Sequence, residues 1–287
     1  MTDRLDVRKT YKLFVGGEFV RSESGRSYPV TGADGVPLAW AAQGSRKDVR
    51  DAVRAARGAA AAWAAKTAYN RGQILYRIAE MLEGRRAQFE HELGQAGVAD
   101  PAVEVDAAID RWVWYAGWTD KIAHVAGTVN PVAGPYFDFT VPEPTGVVAV
   151  LAPDDPPLLG LVSHVAPTLA AGNVIVALCS PRAPLPAMTL AEVLATSDLP
   201  AGVVNVLSGI AAELGPWLAG HLDVDAIDVT GAPSDLAPEL ERLAADNVKR
   251  VVRPLGNAPD YASETAQSPD ALTATMELKT VWHPKGA

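Results

Sequence analysis

Residues 143–178 read EPTGVVAVLAPDDPPLLGLVSHVAPTLAAGNVIVAL, and this stretch decides the fold. An apolar run ends at Leu151, a proline-rich turn follows over 153–157, and a helical stretch leads to a second apolar run over 174–178. Short apolar runs bounded by turn residues are typical of strands that are buried on both faces. The stretch therefore predicts two strands of a parallel sheet joined by a helix.

The same alternation of apolar runs and helical stretches continues towards the end of the chain. We predict strands over 146–151, 174–178, 203–206, 225–229 and 249–253, with helices near 158–171, 184–196, 211–220 and 234–245. The predicted fold class is α/β, with a doubly wound, mostly parallel, Rossmann-like sheet that has helices on both faces. By analogy of fold, such sheets bind ligands at the carboxyl ends of their strands.

The first half of the chain is predicted to add short strands over 11–40 and three helices. The first helix follows Ser45, with Asp48 three residues on as a capping-box signal. The third is expected at about 103–122, where we interpret the aromatic residues as core and subunit contacts.

Two segments outside this core alternate apolar and polar residues with the period of a strand. One lies within 127–145 and reads YFDFTV over 136–141; the other lies within 273–287. They predict a β-ribbon appended to the sheet domain. Residues 261–272, which precede the second segment, are predicted to form a polar linker.

Composition excludes several classes of partner. The chain has 287 residues, with 25 Lys and Arg against 34 Asp and Glu, so its formal charge is −9. This charge disfavours nucleic acid and anionic membranes as partners. Cys179 is the single cysteine, which excludes an internal disulfide and a cysteine-rich metal site. We therefore expect the protein to hold no metal. The first residues show no signal-peptide pattern, so we expect a cytoplasmic protein.

Seven segments together carry a resemblance to a known family. They are FVGGEFV at 14–20, ILYRIAE at 74–80, YAGWTDK at 115–121, EPTGVV at 143–148, AAGN at 170–173, LPAGVVNV at 199–206 and ELKTVW at 277–282. In this order and at these spacings, they resemble the aldehyde dehydrogenase superfamily over nearly the whole chain.

The resemblance implies a dinucleotide-binding domain, a catalytic domain and an oligomerisation ribbon that includes the C-terminal tail. On that pattern, residues 1–126 and 146–260 are the dinucleotide-binding domain, and 127–145 with 273–287 are the ribbon. The linker over 261–272 then stands where the catalytic domain would be. We therefore expect a truncated member of the family.

The family's catalytic positions are replaced in this chain. The family's turn reads P-W-N-F-P, and its Asn helps to hold the oxyanion; here the aligned residue is Asp155, which cannot donate a hydrogen bond and would repel the charge. Pro254 stands in place of the general-base Glu. The nucleophile's segment is absent. Cys179 is either a displaced nucleophile or, as we favour, a small buried residue, and His164 is interpreted as a satisfied helix residue.

The family's cofactor positions are degenerate as well. The residues at those positions are Leu178, Thr230, Gly231 and Ala232. Leu178 replaces a Lys that holds ribose hydroxyls, and Ala232 replaces a Ser beside the pyrophosphate. Pro233 also removes a backbone N–H from a helix start that would bind anions. We expect no bound cofactor, or at most weak NAD(P) binding.

The ribbon carries the positive prediction about function. In the family it extends a sheet of a neighbouring subunit, so its candidate oligomerisation residues are Phe137, Phe139, Leu278, Thr280 and Trp282. We expect a catalytically inactive structural or regulatory subunit that joins a full-length aldehyde dehydrogenase paralogue by strand addition. Alternatively, the ribbon folds back on its own domain or forms a homo-oligomer.

Two other functions stay open at the level of sequence. One is an NAD(P)-binding oxidoreductase subunit that contributes to aldehyde oxidation. The other is a stand-alone module that binds a cationic small molecule through Asp154 and Asp155 at the possible cleft.

Overall fold

The computed structural model describes residues 7–254 and 260–286. Within these residues the chain forms three sheets. Their strands are β1 (Thr10–Tyr11), β2 (Leu13–Val15), β3 (Glu18–Val20), β4 (Ser27–Thr31), β5 (Pro37–Ala42), β6 (Thr128–Asn130), β7 (Tyr136–Pro144), β8 (Val147–Leu151), β9 (Val174–Leu178), β10 (Val204–Leu207), β11 (Ala226–Asp228), β12 (Arg250–Val252) and β13 (Met276–Pro284).

The helices of the described residues alternate with the strands in the second half of the chain. They are α1 (Arg46–Ala64), α2 (Ala68–Glu83), α3 (Arg86–Ala96), α4 (Pro101–Ala116), α5 (Ile122–Ala126), α6 (Pro157–Ala170), α7 (Pro184–Ala195), α8 (Ala211–Ala219), α9 (Ala237–Ala244) and α10 (Asp270–Thr273). Two 3₁₀ turns lie at Ala245–Asn247 and Glu264–Ala266.

The central sheet has seven strands in the order β12-β11-β8-β9-β10-β2-β3. The first five are parallel to one another, while β2 and β3 extend the sheet in antiparallel pairing. Helices α1 and α8 contact each other and the sheet, and α6 and α7 do the same. The predicted α/β fold class is confirmed, and each of the five predicted core strands is present within two residues of its predicted bounds.

Helix α1 begins as the sequence predicts. The Ser45 backbone N–H donates to Asp48 Oδ2 at 2.7 Å, and the Asp48 backbone N–H donates to Ser45 Oγ, which completes a capping box. The helix then buries a stripe of apolar residues against the sheet: Val49, Ala52, Val53, Ala56 and Trp63.

The prediction of a single helix over about 103–122 is wrong, because the structure has two helices there, α4 and α5. The Thr119 hydroxyl donates to the Ala116 carbonyl at 3.0 Å, so this carbonyl is satisfied outside the helical ladder. Gly72 of α2 also approaches closely, since a Cβ there would lie 3.0 Å from the same oxygen. The helix therefore ends at Ala116.

The third sheet is the ribbon, with the strand order β13-β7-β6. Strand β13 pairs with β7 from Met276 opposite Pro144 to Pro284 opposite Tyr136. Phe139 lies opposite Val281, whereas Trp282 lies opposite Asp138. Residues directly opposite each other share a face. The candidate oligomerisation residues are thus divided: Phe137 and Phe139 lie on one face, and Leu278, Thr280 and Trp282 lie on the other.

The segment predicted as a polar linker is packed against the sheet domain. Tyr261 and Leu272 within it are buried, and it ends in α10, which contacts α6. The sequence did not indicate this packing, because Tyr261 and Leu272 flank a stretch, 262–271, whose composition is polar. The division of the chain into domain, ribbon and linker stays a prediction.

The backbone conformation of Val248 can be tested by substitution. Its φ is +59° and its side chain is exposed, so a β-branched residue occupies the left-handed region, where its backbone N–H donates to the Ala245 carbonyl at 3.2 Å. That conformation costs an L-residue about 1–2 kcal/mol, more than the added backbone entropy of a glycine. We expect Val248→Gly to raise the free energy of unfolding by about 1 kcal/mol in urea titrations.

The matched control is Val103→Gly, at an exposed valine inside α4. There the glycine should lower the free energy of unfolding by up to about 1 kcal/mol. A loss of stability in Val248→Gly would contradict the assigned conformation.

Candidate functional site

The carboxyl ends of β11, β8, β9 and β10 lie side by side in the central sheet. The loops that follow these strands therefore meet at one edge, where the fold class places a ligand cleft. Sequence-predicted site residues lie in three of these loops: Asp154 and Asp155 after β8, Cys179 after β9, and Thr230 to Ala232 after β11.

Close backbone packing fills part of this edge. A Cβ at Gly231 would lie 2.2 Å from Pro153 N and 2.5 Å from Leu151 O. A Cβ at Gly160 would lie 2.4 Å from Pro153 Cγ. The loop after β11 thus rests directly on the end of β8, and only glycine allows that approach. In this chain, packing alone explains the glycine at position 231.

The two aspartates of the proline-rich turn have different surroundings. Ser180 Oγ donates to Asp154 Oδ1 at 2.6 Å and accepts a hydrogen bond from the Arg182 backbone N–H. Asp154 therefore joins a network between two loops, although its side chain is exposed. Asp155 is exposed beside the first turn of α6. Neither carboxylate can donate a hydrogen bond to an oxyanion.

The end of β9 offers neither a donor nor a reactive thiol. The Leu178 side chain is buried and has no polar atom, so it cannot hydrogen-bond a ribose. Cys179 is buried too, and burial raises the pKa of its thiol to about 12, with a further contribution from the Asp154 charge. A buried thiol that stays protonated at neutral pH is a poor nucleophile.

The loop after β11 fits a pyrophosphate poorly. The Thr230 N–H donates to Asp228 Oδ1 at 2.9 Å, and the Ala232 N–H donates to a carbonyl of the same turn. Pro233 has no N–H to offer. Helix α9 begins only at Ala237, three residues later than the predicted 234, because the chain first forms a turn closed on the Pro233 carbonyl.

Glu104 is a buried residue of this region that the sequence reasoning missed. Its Oε1 accepts hydrogen bonds from the N–H groups of Leu158 and Leu159, at 2.8 and 3.0 Å. The first turn of α6 is thus occupied by a carboxylate of α4. One side of α4 is a buried stripe with helical spacing, made of Glu104, Ala108, Arg111 and Tyr115. A charged residue within such a stripe is the sequence feature that could have identified Glu104.

Burial raises the pKa of the Glu104 carboxyl, and the charge of Asp155 raises it further, while the two backbone hydrogen bonds oppose this. The ionised form is therefore disfavoured at this position.

His164 lies in a buried network at the same end of the sheet. Its Nδ1 is 2.7 Å from Asp228 Oδ2, and its Nε2 is 2.9 Å from the Tyr261 hydroxyl. Burial alone would raise the pKa of Asp228, but the imidazole and the hydrogen bonds from His164 and Thr230 hold it below its ordinary value. The interpretation of His164 as a satisfied helix residue agrees with these contacts.

Pro254 has no titratable group, and the rest of its stretch, 255–258, lies outside the described residues. Over 7–254 and 260–286, no group of three or more His, Cys, Asp or Glu side chains is placed to hold a metal ion. No helix of the described part combines the length and apolar character needed to cross a membrane.

The aldehyde dehydrogenase family model matches residues 19–280. The chain belongs to the aldehyde dehydrogenase family. Retinal dehydrogenase 2 from Gallus gallus is 34% identical over 285 residues, covering 96% of this chain and 52% of the relative. The putative aldehyde dehydrogenase DhaS from Bacillus subtilis (strain 168) is 32% identical over 292 residues, covering 97% of this chain and 56% of the relative.

Solved structures of the family show the same fold. The NAD⁺ complex of aldehyde dehydrogenase from Bacillus cereus has a TM-score of 0.80 at 28% identity, covering 85% of this chain and 50% of that one. HpcC from Thermus thermophilus has a TM-score of 0.82 at 31% identity, covering 86% and 48%. The chain spans about half the length of the relatives it matches.

Glu104 gives a prediction with a pH dependence. Because its pKa is raised in the folded state, the stability it contributes is present below the ordinary pKa of a glutamic acid and is lost as pH rises through the folded pKa. Glutamine does not titrate but can accept the same two hydrogen bonds. The stability of wild type relative to Glu104→Gln should therefore fall as pH rises, measured by urea unfolding between about pH 4 and pH 8.

Glu104→Ala is the matched disruptive variant. It leaves the N–H groups of Leu158 and Leu159 buried without an acceptor, and should be less stable than Glu104→Gln by about 2–4 kcal/mol at every pH, since neither variant titrates at this position. If the glutamine variant were as unstable as the alanine variant, or if the stability of wild type relative to Glu104→Gln rose with pH, the account of this carboxyl would be wrong.

Proposed function

We propose that this chain is a catalytically inactive, aldehyde dehydrogenase-like subunit with a structural or regulatory role. It assembles with a full-length aldehyde dehydrogenase through its ribbon. The observation that carries the proposal is the edge of β13. In the described part of the chain, this nine-residue strand pairs on one side only, with β7.

The character of that edge supports strand addition. Unpaired N–H and C=O groups along a long strand are a ready template for a strand of another chain. Leu278, Val281 and Trp282 are all exposed on β13, although each is apolar. Main-chain hydrogen bonds would give such a contact its affinity, and these side chains would give it specificity.

Loss of catalysis is proposed from the chemistry of three positions. Asp155 stands where the family's turn has an amide donor, and Pro254 stands where it has a general base. The buried thiol of Cys179 keeps a raised pKa. Neither Asp155 nor Pro254 can do the work expected of its position, and a buried thiol that stays protonated is a poor substitute nucleophile.

An NAD(P)-binding oxidoreductase subunit is the second candidate. It is favoured by the retained fold, since the similar structure from Bacillus cereus is an NAD⁺ complex. The residues Leu178, Ala232 and Pro233 argue against it, because none of them supplies the donor that the family has at its position. A cation-binding module is less well supported, because Asp154 already accepts a hydrogen bond from Ser180.

We also propose a cytoplasmic location, since the single cysteine is buried and free. The charge of −9 supports protein partners rather than nucleic acid or an anionic membrane.

The assembly prediction is tested by light scattering after co-expression with a full-length aldehyde dehydrogenase from the same source. We expect a stable mixed complex, and its loss when residues 273–287 are deleted. Trp282→Lys should weaken the complex at least about tenfold, because a charge would stand on the docking strand. Tyr69→Lys, at another exposed aromatic residue, on α2, is the control and should have no effect.

The assembly proposal would be contradicted if this chain stayed a monomer or homodimer when co-expressed with the full-length enzyme. A mixed complex that survives deletion of 273–287 would contradict it as well.

The cofactor prediction separates the two candidates. Calorimetric titration with NAD⁺ and NADP⁺ should give no saturable heat up to about 1 mM, the upper end of ordinary affinities for substrates. A full-length aldehyde dehydrogenase is the positive control. Saturable binding to this chain would favour the oxidoreductase subunit instead.

A further inference from the structure

Arg111 is a buried guanidinium that hydrogen-bonds only neutral oxygens among its described contacts. Its side chain is 2% exposed. Nη1 donates to Ser163 Oγ at 2.7 Å and to the Ala266 carbonyl at 3.4 Å, and Nη2 donates to the Tyr261 carbonyl at 2.8 Å. Two of the three acceptors therefore belong to the segment that follows the sheet domain.

This arrangement couples the burial of Arg111 to the docking of that segment. A guanidinium removed from water needs acceptors for its N–H groups, and an unpaired one is strongly destabilising. If the segment detached, Arg111 would lose the Tyr261 and Ala266 carbonyls together. The segment is thus a required part of the packing around α4 rather than a spacer.

A second attachment runs through the side chain of Tyr261. Burial, with the charge of Asp228, raises the pKa of the Tyr261 phenol, so it stays protonated. His164 Nδ1 is 2.7 Å from Asp228 Oδ2, and His164 Nε2 is 2.9 Å from the Tyr261 hydroxyl. The chain of hydrogen bonds therefore ties the segment to the end of β11.

Further contacts continue along the segment as far as the ribbon. The Tyr115 hydroxyl donates to the Ser268 carbonyl at 3.3 Å, and Leu272 is fully buried. At the far end, Asn173 Nδ2 donates to the Thr275 carbonyl at 2.8 Å. Thr275 immediately precedes β13.

We propose that residues 260–275 form a strap that covers α4 and α6 and fixes the base of β13. Arg111 and the bond between His164 and Tyr261 hold the strap in place. By anchoring Thr275, the residue that precedes β13, the strap presents the free edge of that strand in one orientation. This last consequence rests on the proposed function, whereas the strap itself does not.

The test is amide hydrogen exchange of the full chain, followed by mass spectrometry. Tyr261→Phe removes one hydroxyl and should speed exchange over 262–275 about five- to tenfold, while β8 and β9 stay protected. Arg111→Met should speed it more, because two carbonyl contacts are lost. Glu264→Gln, at an exposed residue of the same segment, is the control and should leave exchange unchanged.

Exchange over 262–275 that is the same in Tyr261→Phe and Glu264→Gln would overturn the strap, even if Arg111→Met failed to fold. A second arm measures the mixed complex. If Tyr261→Phe loosens the segment but binds the full-length enzyme as wild type does, the role in presenting β13 is overturned and the proposed function stands. If the wild-type chain forms no mixed complex, the proposed function fails, and exchange alone decides the strap.

Discussion

The side-chain amide of Asn173 joins the central sheet to the ribbon. It is fully buried, its Oδ1 accepts a hydrogen bond from Gly146 N at 2.8 Å, and its Nδ2 donates to the Thr275 carbonyl. Gly146 precedes β8 and Thr275 precedes β13, so one amide fixes where the sheet begins and where the tail leaves the core. Because β13 pairs with β7 from that point onward, the position of the ribbon is set by the core. The proposed assembly role depends on this constraint.

The core strands could be predicted because burial on both faces leaves continuous apolar runs such as Val147–Leu151 and Val174–Leu178. The end of α4 could not be predicted, since it depends on the Thr119 hydroxyl and on the approach of Gly72 from another helix. The sequence also could not predict which residues of the two ribbon strands share a face. Their register joins strands more than 130 residues apart, and a slip of one residue would exchange the faces.

At the candidate site, the sequence could predict what depends on chemical identity alone. An aspartate cannot donate, a leucine has no polar atom, and a proline has no N–H, wherever Asp155, Leu178 and Pro233 lie. It could not predict which backbone groups are already engaged. Glu104 occupies the first turn of α6, and Tyr261 is bound to His164 over a separation of 97 residues. Such contacts depend on the tertiary fold, and they turn an apparently polar linker into a packed segment.

The family's fold is thus kept, and the ribbon is the surface that we propose for a partner. The most direct test of this account is a cryo-electron microscopy structure of the complex purified through a tag on this chain after co-expression with a full-length aldehyde dehydrogenase. We expect the outer edge of β13 to continue a sheet of the full-length subunit. A map in which that edge faces solvent, or in which β13 pairs only with a second copy of this chain, would contradict the account.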